Sequence, residues 1–426
     1  MKKFFLSMLA IATLTIQSCG DDDDSNGGPD AIENEISGQI TSDFRLTNDR
    51  IWTLNGRTTV TNGAELFIEP GTIIKGLPGQ GANASVLIIA RGSTVNANGN
   101  AAEPIIFTSI TDNIQVGQTA GTNLDENDRG LWGGVIVLGS APSSFRGDAA
   151  EVQIEGIPAN DTNGRYGGTS AGDSSGVLNY VSIRHGGTNI GEGNEINGLT
   201  LGGVGTGTTI SNIEVVANVD DGIEFFGGTV NATNLFVWAV GDDAIDIDQA
   251  YSGTIDNAGI VLGNISDHAL EIDGPEGSAN GAFTLRNVSM FGNTETENGE
   301  YADYRSNAQG STSNVYATGF KDSSDVELDN NAVTQNYIDG DLTFSNWVFN
   351  LDDDAAAAAQ FVEKVGCAQN CDDPDDENDD DIDEEFLLNG PLSDEATAWA
   401  SAGTSGGADT SAFAWTYANN TANLGF

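Results

Sequence analysis

Seven asparagines restrict how this chain can fold. Each opens a short apolar or alternating run: Asn179-Tyr180-Val181, Asn212-Ile213-Glu214-Val215, Asn234-Leu235-Phe236-Val237, Asn257, Asn287-Val288, Asn314-Val315 and Asn346-Trp347. They stand 33, 22, 23, 30, 27 and 32 residues apart. A propeller or a leucine-rich solenoid repeats at a nearly fixed length. A variable repeat needs a unit of constant cross-section with loops of unequal length, which is the coil of a right-handed parallel β-helix. Asparagines stacked at successive corners satisfy one another and the nearby backbone.

A second register runs beside the first. Asp220-Asp221-Gly222-Ile223-Glu224-Phe225 is followed by Asp242-Asp243-Ala244-Ile245-Asp246-Ile247, then by Asp267-His268-Ala269-Leu270-Glu271-Ile272. Side chains alternate along a strand, so with Ile223, Ile245 and Leu270 inward, Glu224, Asp246 and Glu271 face out. The column is expected to begin near Thr200 and to continue through Asp303 and Glu327. From Asn212 to Asn314 each asparagine precedes its column member by 12 to 16 residues, so one strand of a coil carries the asparagine and another the carboxylate. Arg305, in line with Asp273 and Asp329, is a local counter-charge.

Composition fits an all-β chain and narrows its partners. Gly accounts for 55 of 426 residues, and only 9 are Pro. That suits many tight turns and is neither collagen-like nor a Pro-rich linker. Fifteen Lys+Arg stand against 64 Asp+Glu, a formal charge of −49. Nucleic-acid binding and electrostatic docking to anionic lipid are thereby excluded, because both need clustered bases.

The N-terminus reads as an address. Lys2 and Lys3 precede an apolar run, Phe4 to Ile16, too short to span a bilayer. Ile16-Gln17-Ser18-Cys19 resembles a bacterial lipobox, and Asp21 to Asp24 resemble the surface-export signal of Bacteroidota lipoproteins. This implies a signal peptide over 1–18, an outer-membrane lipid anchor on Cys19 and exposure at the cell surface. Residues 19–45 are expected to be an acidic tether, 46–354 the β-helix, and 355–426 a C-terminal cap with a short helix and an acidic loop. Trp399, Phe413 and Trp415 are expected to cover the open end. Cys367 and Cys371 are expected to form a disulfide in an oxidising envelope. Two histidines in the whole chain are too few for zinc.

The motifs then become specific. Leu66 to Gly76, Arg129-Gly130-Leu131-Trp132-Gly133-Gly134, Ile154-Glu155-Gly156-Ile157-Pro158, Tyr180 to Gly187, Asn194 to Thr200 and Asp220 to Val230 resemble a family of bacterial cell-surface β-helix proteins, pectin-lyase-like in fold and largely uncharacterised in activity. The resemblance covers roughly residues 50–300. It implies architecture and location rather than chemistry.

Coils lie about 4.8 Å apart, so the carboxylates stack as like charges, repelling by several kcal/mol at an effective dielectric of about 20. Raised pKa values, bound cations or hydrated, splayed side chains relieve this. The cation reading places Ca²⁺ among Asp221, Glu224, Asp242, Asp243, Asp246, Asp248, Glu271 and Asp273. The bland reading is a solvated acidic face. A third rests on resemblance to polygalacturonases: Asp221-Gly222, Gly241-Asp242-Asp243 and His268 stand in that family's order. By carry-over Asp243 is the acid, and Asp221 with Asp242 activates water for inversion. The departures are Val219-Asp220 where that family has Asn-Thr, the missing glycines beside His268, and the absence of an Arg-x-Lys pair, Arg286 standing alone. Arg184-His185 reads as a structural pair, and Trp132, Trp238 and Trp347 read as core. The expected function is non-catalytic binding of glycan or matrix, Ca²⁺-dependent or structural. The alternative is an inverting glycosidase using Asp221, Asp242, Asp243 and His268.

Overall fold

The computed structural model describes residues 34–79, 81–191, 194–296, 298–369, 382–422 and 424. The proposed signal peptide, Cys19 and Cys371 lie outside them. Among the described residues no helix is long and apolar enough to cross a membrane.

The inward-facing residues that alternation selects stack coil on coil. Ile223 pairs with Ile245 and Ile245 with Leu270, while Phe225 pairs with Ile247 and Ile247 with Ile272. All are fully buried in one axial core, each contributing about 1.5–3 kcal/mol. Twenty-four strands join into one continuous sheet whose pairings are parallel, wound into a right-handed β-helix with three faces.

Two faces come from long strands bent in the middle. The bend is an asparagine in left-handed conformation: Asn212, Asn234, Asn257, Asn287, Asn314 and Asn346 have φ of 52–69°, which asparagine tolerates better than most residues. Their amides form the expected ladder, Asn234 donating to Asn212 at 3.0 Å and Asn257 to Asn234 at 2.7 Å, with one break where Asn287 donates to Asp256 (2.6 Å) in place of Asn257. On the preceding coil the bent residue is Tyr180 (φ 50°). Asn179, one position earlier, accepts from Asn212 and donates to Asn98, both at 2.8 Å, which carries the ladder one coil further down.

The third face holds the short strands Leu199–Gly202, Ile223–Phe226, Ile245–Asp248, Leu270–Asp273, Ala302–Arg305, Val326–Leu328 and Phe361–Glu363 in register. It carries the acidic column.

The boundaries differ from those expected. Glu35–Ile40 pairs with Ile51–Val60, so the solenoid starts inside the stretch assigned to the tether. Ile36 is buried, and the strand gives the first coil a paired edge. Coils continue past 354, through Phe361–Glu363 and Ala400–Ala402. At the start of the expected cap the helix is only Asp354–Ala358, because Phe361 is taken up by the sheet. A helix at Asn331–Asp339, capped by Asn330 and by Gly340 in left-handed conformation, was not foreseen.

The C-terminus is not the end cap that was expected. Trp399 does pack at the end, against Phe344 and Phe361. Residues 407–418 instead run back along the flank as a strap. The Ala408 amide donates to Ser289 (2.9 Å) and that of Asp409 to Asn257 (2.6 Å). Phe413 packs on Phe236, and Trp415 on Tyr180. Tyr417 donates to the Leu124 carbonyl (3.0 Å), and the Ala418 amide donates to Glu214 (2.8 Å).

Candidate functional site

Two successive strands of the acidic face, Ile223–Phe226 and Ile245–Asp248, are entered through a carboxylate that caps the next coil. Asp221 Oδ1 accepts from the Asp243 amide at 3.0 Å, and Asp243 Oδ1 accepts from the His268 amide at 2.7 Å. Gly222, next to the first cap, admits no side chain: a Cβ there would lie 2.5 Å from the Ala244 carbonyl oxygen and from Val237. The Asp-Gly pair is therefore required by the backbone as well as by any chemistry.

Beyond the caps runs the column Thr200, Glu224, Asp246, Glu271, Asp303 and Glu327. A second outward row holds Phe226 beside Asp248, and Asp273 beside Arg305. These side chains leave the apolar core as alternation requires, yet the column carboxylates are only 5–8 % exposed. A solvated face is thereby corrected to a covered one.

The cover comes from two loops. Residues 139–168 fold over the N-terminal end of the face around a small apolar cluster that includes Phe145, Ile154, Tyr166 and Phe226. Arg57–Asp161 (3.4 Å) and Arg91–Glu151 (2.5 Å) pin this loop to the first coils. The insertion after Gly274 joins it: the Ser278 amide donates to Asp148 at 2.7 Å and that of Gly277 to Ser144 at 3.1 Å. The described residues of 292–302 do not extend this wall. Thr296 folds onto the turn before the face, donating to the Ser266 carbonyl at 2.9 Å.

The bases are unevenly distributed. Arg305 is ion-paired with Glu271 and lies 2.9 Å from Asp273. Lys364 is paired with Glu327. His268 Nδ1 is 2.8 Å from Asp243. Burial pulls the His268 imidazole down, but the Asp243 carboxylate outweighs it and raises the pKa to about 9. Burial likewise pushes Asp243 up, yet the hydrogen bonds from His268 hold it below the usual carboxylate range. Glu271 is pushed up, first by burial and then by Asp243.

Among the described residues no base pairs with Asp221, Glu224, Asp246 or Asp248, although Arg305 acts on Asp248 from a distance. Atoms of the first three lie within 4.8 Å of one another. Burial, then the neighbouring carboxylates, pushes all three well above the usual range, and Asp248 to about 8. Asp246 Oδ1 is buried with no donor. Such an oxygen is costly unless protonated or held by a cation.

Reasoning from sequence missed two members of the site. Asn197, fully buried, donates both to Glu224 and to Glu155 on the covering loop. Burial, then Glu195, pushes Glu155 up to about 7. Both residues lie inside motifs already singled out, Ile154–Pro158 and Asn194–Thr200, but nothing local shows that these motifs meet at Glu224. Asp242 is exposed at the rim beside half-buried Asp220 and Asp267. Arg184 and His185 are buried and structural. Arg184 lies 4.3 Å from the centroid of the Tyr417 ring, and His185 Nδ1 lies 2.8 Å from the Asp128 carbonyl. Trp132, Trp238 and Trp347 are core residues.

A protein-family model described as a pectate-lyase like beta helix domain matches residues 38–402. No curated protein and no solved structure matches the chain.

Proposed function

Because the chain belongs to the pectate-lyase-like β-helix family, a fold that supports a carbohydrate-related role, we propose that it is a cation-loaded glycan- or matrix-binding protein, held at the outer surface of a bacterial outer membrane by a lipid on Cys19. One observation carries the cation: Asp221, Glu224 and Asp246 converge with no base among them, and Asp246 Oδ1 has no donor. The donor set is all oxygen and mostly anionic, which suits Ca²⁺ better than a softer metal. Asp248 stands next to Asp246 in the same strand as a further ligand. Glu271 and Asp273 already hold Arg305, and Asp243 already holds His268. The site is therefore narrower than the eight carboxylates that sequence suggests.

The pairing of Asp243 with His268 counts against Asp243 as the acid of the glycosidase reading: it holds the carboxyl below the usual range, whereas a general acid must hold a proton near the working pH. The covering loops are the observation in favour of that reading, since a walled site suits an enzyme.

Calcium titration of the protein by calorimetry tests the proposal. Saturable binding that disappears in Asp246→Asn is the expected result, and no heat at millimolar calcium contradicts it. A reducing-sugar assay on neutral and acidic polysaccharides tests the alternative, and release of sugar by the wild type but not by Asp221→Asn establishes it. Cys19→Ser, expected to release the protein from membranes, tests the anchor.

A further inference from the structure

The covering loop meets the acidic column through one carboxylate. Residues 139–168 carry four acids, Asp148, Glu151, Glu155 and Asp161. Three have partners away from the cation cluster: Asp148 accepts from the Ser278 amide, Glu151 pairs with Arg91 and Arg165, and Asp161 pairs with Arg57. Glu155 turns to the column instead. The Asn197 side-chain nitrogen donates to it at 3.1 Å and also to Glu224, and the Glu155 and Glu224 carboxyl groups are themselves in hydrogen-bond contact. The local chain fixes this approach. Ile154 and Ile157 are buried on either side. Gly156 between them has φ 70°, and a Cβ there would lie 2.7 Å from the Ile196 side chain and 2.9 Å from the Glu195 carbonyl oxygen. The Ile154–Pro158 motif thus sets Glu155 down on Glu224.

Donors are scarce at this junction. Asp246 Oδ1 and Asn197 Oδ1 are both buried without one, on residues 8 % and 0 % exposed. Two carboxyl groups in contact need a proton or a cation between them. Ca²⁺ takes about six to eight oxygens, and a strand face offers them from one side only. The remaining ligands of an ion on Asp221, Glu224 and Asp246 must therefore come from the cover or from water. Glu276, the acid of the second covering segment, already accepts from Gln249 and from the Arg146 amide. We propose that Glu155 is a further ligand of this cation, and that the ion thereby clamps residues 139–168 onto the acidic face. This rests on the cation reading above and adds the ligand from the loop and the ion's control over the cover.

The test uses the full chain. Calcium binding is measured by calorimetry in wild type, Glu155→Gln and Glu155→Asp. Hydrogen exchange of residues 139–168 is read by mass spectrometry with calcium and with chelator. Glu155→Gln keeps the shape and removes the charge, and is expected to weaken calcium binding at least about tenfold. Glu155→Asp, which keeps the charge on a shorter arm, is expected to fall between. Calcium is expected to slow exchange in the loop severalfold in wild type and to have little effect in Glu155→Gln. Arg91→Ala loosens the loop without touching Glu155 and is expected to bind calcium nearly as wild type does. Calcium bound as tightly by Glu155→Gln as by wild type overturns the inference. So does loop exchange in wild type that calcium leaves unchanged, or an equal loss of affinity in Arg91→Ala, which would mark a merely structural effect. Each of these outcomes leaves the cation site standing. Absence of calcium binding by the wild type overturns the cation reading, and the inference with it.

Discussion

Asp246 is where burial and charge conflict most sharply. Its carboxylate is nine-tenths buried, lies between Glu224 and Glu271 in the column, and has one oxygen without a donor. Asp246→Asn keeps the shape and removes the charge. In calcium-free buffer the variant is expected to be more stable than wild type by about 1–3 kcal/mol, and to lose any stabilisation by calcium. Denaturant melts with and without chelator measure both. His268 gives an independent check. The chain has two histidines. Burial pushes His185 below its ordinary value, while Asp243 raises His268 to about 9. A folded pKa above the unfolded one means that this pair stabilises fully below about pH 6.5, and that the contribution is lost as pH rises through about 9. Proton NMR is expected to show one imidazole titrating near 9 and the other below 6.5. In Asp243→Asn the upper one falls.

At the scale of elements, the strap is the least expected feature. Phe413 is fully buried against Phe236, and a Cβ on Gly259 would lie 2.7 Å from its ring. Phe413→Ala is expected to cost about 3–5 kcal/mol, measurable as a lowered denaturation midpoint. Truncation before Gly407 is expected to expose the buried Arg184 and Glu214 and to raise hydrogen exchange in Thr209–Val216. The coils themselves were legible in the sequence, because two periodic signals had to coincide. Asparagines mark the bends and carboxylates mark the outward row, and both follow from backbone geometry acting on each coil in turn. The strap was not legible. Its partners on the coils do fall in register, Glu214, Phe236, Gly259 and Ser289 on successive strands and Asn257 and Asn314 in the asparagine ladder, but residues 407–418 carry no repeat of their own that marks the face they cover. The acidic column was legible as a row, but its division only in part. That division depends on Arg305, foreseen as a counter-charge beside Asp273 but not as the partner of Glu271, and on Lys364, an ordinary surface base until the coils bring it beside Glu327. Glu155 was hidden for the same reason, since it arrives from a loop.

For the whole molecule, the sum of 64 acids against 15 bases predicts self-repulsion spread over the surface, in addition to the local cluster. The two differ in what relieves them. Monovalent salt screens the surface and is expected to raise the melting temperature gradually up to about 0.5 M. Calcium acting at the cluster is expected to do so at far lower concentration and with saturation. pH separates them further. Asp248 and Asp220 are pushed up to about 8 and Glu155 to about 7, burial being the first cause in each. Carboxyls with raised folded pKa values stabilise below their unfolded values near 4, and that contribution is lost as pH rises towards 8. The calcium-free protein should therefore lose stability between about pH 4 and 8, and calcium should restore it chiefly at the upper end. Location of the ion itself is the most direct test: anomalous diffraction from crystals grown with calcium. A peak among Asp221, Glu224 and Asp246, absent in Asp246→Asn crystals, is the predicted result. A well-ordered ladder with no peak there at millimolar calcium would contradict the account.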